Sequence, residues 1–424
     1  MDKSKFVLML RRLSFSVITL GVLSACTSNP DNLVTENGVA EKIPVGLWRG
    51  ELDLMTDDSV NLPFEFKLDS VNDQLEMTLI NGAEEISGHI VQVNGDSITV
   101  ELAVFNGVLV LTRKGNRMDG YFHNLAKGPE YKLPLHCEFG LNYRVGTTFY
   151  GKKYDFSGKW ETIFNEGEDA YPAIGSFSQI GDKITGTFLT ETGDFRFLEG
   201  QVVDSTMVLT AFDGSHAFYF RGTLSGDTIK GVFNSGSHYS TTWKAVRNEN
   251  FHLSDPYKLT YLKEGYKTID FKFPGLKSDT ISLQDEKYQD RVVLIQIMGS
   301  WCPNCMDECA YFEELYTKYH DRGLEIIGIA FEATKDLEQA RKDLSKLVDY
   351  YELPYDFGIG GFASKKVASE AFPMLNKIMS YPTSILLDKK GNVVQIHTGF
   401  SGPSTGDVFE TYKKRMEASI EKVL

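Results

Sequence analysis

Three cysteines lie close together in the segment GSWCPNCMDEC, residues 299–309. Cys302 and Cys305 form a C-x-x-C pair, and Cys309 follows four residues after Cys305. Thiols at this spacing can cycle between a dithiol and a disulfide, bind a soft metal ion, or be ordinary buried residues. Because the redox state of thiols depends on the compartment, any targeting signal at the start of the chain bears on this choice.

The first residues have the pattern of an export signal. Basic residues precede a short apolar stretch, 13–23, which is too short to span a bilayer comfortably as a helix. The stretch ends in LSAC, which resembles the lipobox of bacterial lipoproteins. This resemblance implies a signal peptide over residues 1–25 and a lipid on Cys26; the alternative is an ordinary secretory signal with an incidental cysteine. Residues 26–44 are polar and turn-rich, as expected of a tether.

Composition narrows the possible partners. The formal net charge is −14 and the sequence has no basic stripe, which argues against binding to nucleic acid. Five cysteines among 424 residues are too few for a fold stapled by disulfides. The histidines of the first half lack ligand spacing, so we expect neither a metal site nor a cofactor there.

The region 45–250 is predicted to be β-rich. Short alternating runs such as PFEFKLDSV and KITGTFL are separated by glycine-containing turns. Trp48 matches Trp160, and Gly120 matches Gly231, at shifts of about 110 residues. The sequence therefore predicts a duplicated antiparallel meander, with one β-unit over 45–140 and a second over 141–250, as barrels or sandwiches.

The pattern changes beyond a polar, turn-prone boundary. VVLIQIM and LEIIGIAFE read as strands buried on both faces, and amphipathic helical segments alternate with them. Asp336 is a plausible cap for one helix, Gly323 ends another, and KKGN marks a hairpin. Residues 259–424, here called the C-terminal domain, are predicted to form an α/β fold, which makes the whole chain multidomain.

The C-terminal domain resembles the TlpA-like and ResA-like thiol–disulfide oxidoreductases, which have a thioredoxin-like fold. The similarity lies in WCPNCMDE, in the entry segment FKFPGLKSDTISLQD and in SYPTSILLDKKGNVVQIHTGF. It implies that Cys302 and Cys305 form the redox-active disulfide and that the bond before Pro382 is cis. It also implies that Trp301, Pro303, Asn304, Tyr381 and Thr383 shape the substrate site.

Physical chemistry agrees with these implied roles. A helix that begins at Cys302 would favour its thiolate, the form that attacks disulfides. Cys305 would lie one turn further on and resolve the mixed disulfide. Pro303 suits the first helical turn, where its missing N–H is not needed.

Two acidic residues of the C-terminal domain match glutamates of the family. By the same resemblance Glu332, at the end of a predicted buried strand, would lie beside the cysteines and move a proton; the alternative is a solvated strand-end glutamate. Glu308 matches the family's glutamate on the active-site helix, and it would otherwise be an exposed first-turn carboxylate.

Three other interpretations stay open. Cys305, Cys309 and His397 are similar in kind to the ligands of copper-binding Sco proteins, which share the fold; Cys309 is otherwise a core residue or a backup resolving thiol. A peroxiredoxin would need Thr or Ser where Gly299 stands. The thioredoxin-like half could also be degenerate, with the β-rich half acting as a binding module.

The sequence as a whole therefore predicts a lipid-anchored thiol–disulfide oxidoreductase of the cell envelope, facing the periplasm. An Asp directly after the lipidated cysteine would resemble an inner-membrane retention signal. Residue 27 is Thr, which favours the outer membrane. We expect a reductase of protein disulfides that uses no cofactor. Similar proteins are reduced in turn by a membrane thiol carrier, so a partner of that kind is expected.

Overall fold

The computed structural model describes residues 43–55, 60–72, 74–146, 154–277 and 279–424. The predicted signal peptide and the lipidation site Cys26 lie outside these residues, as does nearly all of the predicted tether. In the described part of the chain, no helix is both long enough and apolar enough to cross a membrane.

The first β-domain is a closed antiparallel barrel, because β1 pairs with both β2 and β8. Its strands are β1 Gly46–Asp53, β2 Asn61–Val71, β3 Gln74–Asn81, β4 Glu84–Asn94, β5 Ser97–Glu101, β6 Gly107–Lys114, β7 Arg117–Asn124 and β8 Lys132–Phe139. Alternate residues along these strands point inward, so the barrel interior is filled by large apolar side chains such as Trp48 and Phe64.

The second β-domain is a nine-stranded antiparallel sheet that also closes on itself, through an additional pairing of β10 with β11. Its strands are β9 Gly158–Phe164, β10 Tyr171–Ile180, β11 Lys183–Thr190, β12 Gly193–Asp194, β13 Leu198–Val203, β14 Thr206–Phe212, β15 Ala217–Ser225, β16 Thr228–Ser235 and β17 Tyr239–Arg247. The core is rich in aromatic rings, and Phe164 contacts several of them.

The two β-domains use matching residues in matching ways. The indole N–H of Trp48 donates to the carbonyl of Pro44 (3.0 Å), and that of Trp160 donates to the carbonyl of Phe156 (2.8 Å), four residues upstream in each case. A Cβ atom at Gly120 or at Gly231 would lie 2.0 or 2.2 Å from the carbonyl oxygen of the neighbouring strand. Glycine is therefore required at both positions, as a structural repeat would predict.

The C-terminal domain is a five-stranded mixed sheet in the order β22-β21-β20-β23-β24. Its strands are β20 Val292–Met298, β21 Leu324–Glu332, β22 Asp356–Phe362, β23 Thr383–Leu387 and β24 Val393–Thr398, preceded by a small hairpin of β18 Lys272–Pro274 and β19 Thr280–Ser282. Its helices are α1 Pro303–Tyr319, α2 Leu337–Tyr350, α3 Lys365–Ala371 and α4 Asp407–Val423. The strand β22 and the helix α3 were not predicted from the sequence.

Two predicted ends of helices in this domain are confirmed. Asp336 caps α2 by accepting a hydrogen bond from the backbone N–H of Gln339 (2.7 Å). Gly323, with a φ of 114°, ends the turn that follows α1. The predicted class of fold is confirmed: antiparallel β-structure comes first and a thioredoxin-like α/β domain follows. The sheet places the start of α1 and the segment before β23 side by side, because β20 and β23 are neighbours.

Candidate active site

Cys302 occupies the N-cap of α1, directly after the buried strand β20 and a short turn. Its Sγ accepts a hydrogen bond from the backbone N–H of Cys305 at 3.3 Å, and Pro303 is the first residue of the helix. Cys302 keeps 6% of its surface exposed whereas Cys305 is fully buried, and both are thiols in this structure. The thiol at the helix start is therefore the one that a substrate can approach.

The segment before β23 lies against the same sulfur. The Tyr381–Pro382 peptide bond is cis, as predicted, and Cys302 Sγ lies 3.5 Å from the carbonyl oxygen of Tyr381. The Trp301 ring packs edge-to-face on Tyr381 at 5.5 Å, and its indole N–H donates to the carbonyl of Phe331 at 2.8 Å. Thr383 is buried with its hydroxyl bonded to the backbone, so it shapes the segment from behind rather than at the surface.

Burial sets the protonation of the second thiol. It raises the pKa of Cys305 well above its ordinary value, and the adjoining Cys302 sulfur raises it further. A thiol in this state keeps its proton near neutral pH. If Cys305 is to attack a mixed disulfide, some group must accept that proton.

Glu332 reaches the thiol site through an intermediate residue. It is buried, and its two carboxylate oxygens accept hydrogen bonds from the backbone N–H (2.9 Å) and the hydroxyl (2.6 Å) of Ser300. Burial raises the pKa of Glu332 to about 7, while the bonds from Ser300 oppose the shift. The alternative of a solvated strand-end glutamate is wrong, because Glu332 is buried and its carboxylate holds the turn two residues before Cys302.

Glu308, on the active-site helix α1, lies in a closed polar environment. The alternative of an exposed first-turn carboxylate is wrong, because Glu308 is fully buried. Its oxygens accept hydrogen bonds from the Tyr412 hydroxyl (3.0 Å) and from the Gln296 side-chain amide (2.9 Å). The same amide reaches the carbonyl of Cys305 at 3.3 Å. Burial raises the pKa of Glu308 to about 8.

Gln296 was missed as a functional candidate, although the sequence contained a signal for it. It is the single polar residue in the buried run VVLIQIM. A buried amide needs partners, and here they are Glu308, the carbonyl of Cys305 and the thiol of Cys309, whose Sγ lies 3.1 Å from Oε1 of Gln296.

The three residues considered for copper do not form a cluster. Cys309 is fully buried against Gln296 and Met298, whereas His397 Nδ1 contacts the carbonyl of Gly399 at 2.9 Å and its ring packs on aromatic neighbours. Burial lowers the pKa of His397 to about 4. Among the residues that the structure describes, no group of three or more His, Cys, Asp or Glu side chains could hold a metal ion.

Residues of the second β-domain also reach the thiol site, which no local signal in the sequence indicated. The side-chain amide of Asn304, between the two cysteines, donates to the carbonyl of Asp194 at 3.1 Å. The Ser380 hydroxyl, next to Tyr381, donates to the carbonyl of Thr192 at 2.7 Å. Thr192 and Asp194 of the second β-domain therefore lie beside residues that the sequence predicted to shape the substrate site.

Comparison with known proteins shows which family the C-terminal domain resembles. The model of the AhpC/TSA family matches residues 265–396. The thioredoxin-like protein YneN of Bacillus subtilis (strain 168) is 30% identical over 138 residues, which make up 32% of this chain and 73% of that protein. The chain belongs to the TlpA-like/ResA-like family of thioredoxin-fold proteins.

Other relatives of this TlpA-like/ResA-like chain are named as thiol-disulfide oxidoreductases. The thiol-disulfide oxidoreductase ResA of Bacillus thuringiensis subsp. konkukian (strain 97-27) is 29% identical over 154 residues, which are 36% of this chain and 78% of that protein. The present protein is likewise an oxidoreductase. Among solved structures, a putative thiol:disulfide interchange protein DsbE from Chlorobium tepidum is 22% identical, with 38% of this chain and 99% of that chain covered and a TM-score of 0.29.

Proposed function

We propose that the protein is a lipid-anchored thiol–disulfide oxidoreductase of the cell envelope that reduces protein disulfides through Cys302 and Cys305. The observation that carries the proposal is the position of the Cys302 sulfur, held between the start of α1 and the carbonyl before the cis-proline. A thiolate at a helix N-terminus is the species that attacks disulfides.

The proposed cycle transfers two electrons to the substrate. The Cys302 thiolate attacks one sulfur of the substrate disulfide, forms a mixed disulfide, and releases the other sulfur as a thiolate that takes up a proton. Cys305 then loses its proton and attacks Cys302 Sγ. This step forms the Cys302–Cys305 disulfide and releases the second substrate thiol. A membrane thiol protein returns two electrons and two protons to regenerate the dithiol.

Two buried carboxyl groups flank the path of the Cys305 proton in this proposal. Glu332 positions the turn before Cys302 through Ser300, and Glu308 is linked to the carbonyl of Cys305 through Gln296. Both have a pKa raised by burial into the neutral range, about 7 for Glu332 and about 8 for Glu308. A group that titrates near the working pH suits the transfer of a proton in either direction.

The reducing direction is proposed from the resemblance to the TlpA-like and ResA-like proteins. A strong oxidant of this fold class stabilises the thiolate of its attacking cysteine, which makes the reduced form favourable. For a reductase we expect a reduction potential below about −200 mV rather than near about −120 mV.

The test combines trapping with a redox titration. Cys305→Ser should accumulate a mixed disulfide with a protein disulfide such as that of insulin, whereas Cys302→Ser should form none. Cys137→Ser, which removes a buried thiol of the first β-domain, is the matched control and should behave as the unmodified protein. A potential near about −120 mV would reverse the proposed direction, and no transition at Cys302 and Cys305 would reject the dithiol cycle.

The anchor is proposed from the sequence alone. LSAC with Cys26 supports lipidation, and Thr27 after it supports the periplasmic face of the outer membrane. Cys26→Ala should move the protein from the membrane fraction to the soluble fraction of the envelope and abolish labelling by a fatty-acid analogue. Retention of the label in this variant would show that the lipid is attached elsewhere.

A further inference from the structure

Residues 190–196 of the second β-domain contact three segments of the C-terminal domain, and two of these segments, α1 and the cis-proline segment, lie against Cys302. The carbonyl of Thr192 accepts from Ser380 in the cis-proline segment, and that of Asp194 accepts from Asn304 in α1. The Asp194 carboxylate accepts from the backbone N–H of Gly402 at 2.6 Å, in the segment between β24 and α4. One wall of the thiol site therefore comes from a different domain.

This wall is fixed in place by charge and by close packing. Arg196 forms buried ion pairs with Asp307 in α1 (3.0 Å) and with Glu84 of the first β-domain. A Cβ atom at Gly399 would lie 2.6 Å from the carbonyl carbon of Thr192, so only glycine permits this approach. A wall held in this way is preorganised for binding and does not have to be ordered by the substrate.

The contacts also occupy two polar donors beside the thiol site. The side-chain amide of Asn304 binds the carbonyl of Asp194, and the hydroxyl of Ser380 binds the carbonyl of Thr192. These two donors are therefore engaged within the protein and do not bind a substrate side chain at this wall.

A cavity of about 360 Å³ lies beside these contacts. It is lined by Asn304, which stands between the two cysteines, and by Tyr171, Pro172 and Phe195 among others. The rings of Tyr171 and Phe195 are held by Phe164, at centroid distances of 5.3 and 5.9 Å. The volume is at the low end of that of ligand pockets, about 300–1,000 Å³, and suits one large side chain.

We infer that this cavity is a recognition subsite for an apolar or aromatic side chain next to the cysteine of the substrate disulfide. The inference rests on the proposed function and adds a substrate preference to it. The aromatic wall and Pro172 would bury such a side chain, while Glu191, which also lines the cavity, disfavours an acidic one. Asn304 lines the cavity and follows Cys302 by two residues, which places the subsite next to the reacting cysteine.

The experiment compares peptides that differ only beside the cysteine. Disulfide-linked dimers of a one-cysteine peptide carry Phe, Ser or Asp on both sides of Cys, and glutathione disulfide reports the intrinsic reactivity of the thiol. The second-order rate constant with reduced protein is measured in a single turnover. We expect the Phe peptide to react about ten times faster than the Ser peptide, and the Asp peptide to be slowest.

A variant that fills the cavity locates the effect. Glu191→Trp should bring the Phe-to-Ser ratio close to one. Ile180→Trp, which places the same side chain on an exposed position of the same domain, should keep the ratio of the unmodified protein. A persistent preference in Glu191→Trp would place the recognition of Phe outside this cavity.

The peptide rates of the unmodified protein test the subsite even if Glu191→Trp does not fold. Equal rates for the Phe and Ser peptides, or a slower rate for Phe, would overturn the subsite while leaving the thiol chemistry intact. Failure of both peptides and of glutathione disulfide to react would instead reject the proposed function, and the subsite with it.

Discussion

Arg196 and Asp307 form a buried ion pair with an Nη2–Oδ1 distance of 3.0 Å, although 111 residues separate them in the sequence. Asp307 lies two residues beyond Cys305 on α1, and Arg196 follows the β-strand segment that contacts Asn304. The carboxylates of Asp307 and Glu84 raise the pKa of Arg196 above its ordinary value although burial alone would lower it. The β-domains are therefore joined to the catalytic helix by charge.

Loss of this arginine should destabilise the protein strongly. Arg196→Met would leave the carboxylates of Glu84 and Asp307 buried without their cation, which costs about 3–5 kcal/mol when one partner of a buried pair is removed. The measurement is the urea midpoint followed by tryptophan fluorescence. Arg117→Met removes an arginine from an exposed pair with Glu138 and is expected to shift the midpoint little. Equal shifts in the two variants would contradict the structural role of Arg196.

Alkylation should distinguish the four described cysteines by their surroundings. Cys302 is 6% exposed at a helix start, whereas Cys305 and Cys309 are fully buried. Burial raises the pKa of Cys309 to about 12 and raises that of Cys137 as well. We expect iodoacetamide at pH 7 to label Cys302 at least about ten times faster than the other three. Mass spectrometry of the labelled peptides gives the rates, and preferential labelling of Cys305 would exchange the proposed roles.

The residues that could be predicted are those whose signals are local in the sequence. Cys302, Cys305 and Pro382 stand in short motifs, and Asp336 is recognisable as a cap because its partner is three residues away. The strand β22 was not predicted, because its glycines depend on a neighbouring strand: a Cβ atom at Gly360 would lie 2.6 Å from the ring of Phe331 on β21.

The missed parts of the site depend on distant partners. Glu308 is buried because Gln296 and Tyr412, from β20 and α4, supply its hydrogen bonds, and nothing near Glu308 in the sequence indicates this. Asp194 meets Asn304 across 110 residues and a domain boundary. Tertiary packing of this kind overrides local pattern, so one sequence read alone places the cysteines but not the wall beside them.

The buried Glu308 should make stability depend on pH. Its pKa rises from an ordinary 4.5 to about 8 on folding, so between these values the folded state keeps a proton that the unfolded state releases. Protonation of Glu308 gives its full contribution to the free energy of unfolding below pH 4.5. This contribution decreases as the pH rises towards 8, by up to about 1.4 kcal/mol per pH unit.

Glu308→Gln removes this dependence because its amide does not titrate. Between pH 5 and pH 8 the free energy of unfolding of the unmodified protein should fall relative to that of Glu308→Gln. The measurement is urea unfolding at each pH. Glu314→Gln, exposed on the same helix, should follow the unmodified protein. A constant difference for Glu308→Gln across this range would show that Glu308 is not protonated in the folded state.

The third cysteine of α1 is expected to be a structural residue and not a backup resolving thiol. Cys309 is fully buried, donates to Oε1 of Gln296 at 3.1 Å, and has its pKa raised by burial to about 12. Cys309→Ala would leave the Gln296 oxygen without this donor and should cost about 1–3 kcal/mol, whereas Cys309→Ser keeps a donor and should cost less.

Trapping experiments separate the two roles of Cys309 directly. If Cys305 is the resolving thiol, Cys305→Ser should accumulate the mixed disulfide on Cys302 to the same extent whether residue 309 is cysteine or serine. If Cys309 can resolve it, the mixed disulfide would decay in Cys305→Ser and persist only in Cys305→Ser/Cys309→Ser. Since burial of Cys309 disfavours the thiolate that would have to attack, we expect equal accumulation in both variants, measured by intact mass.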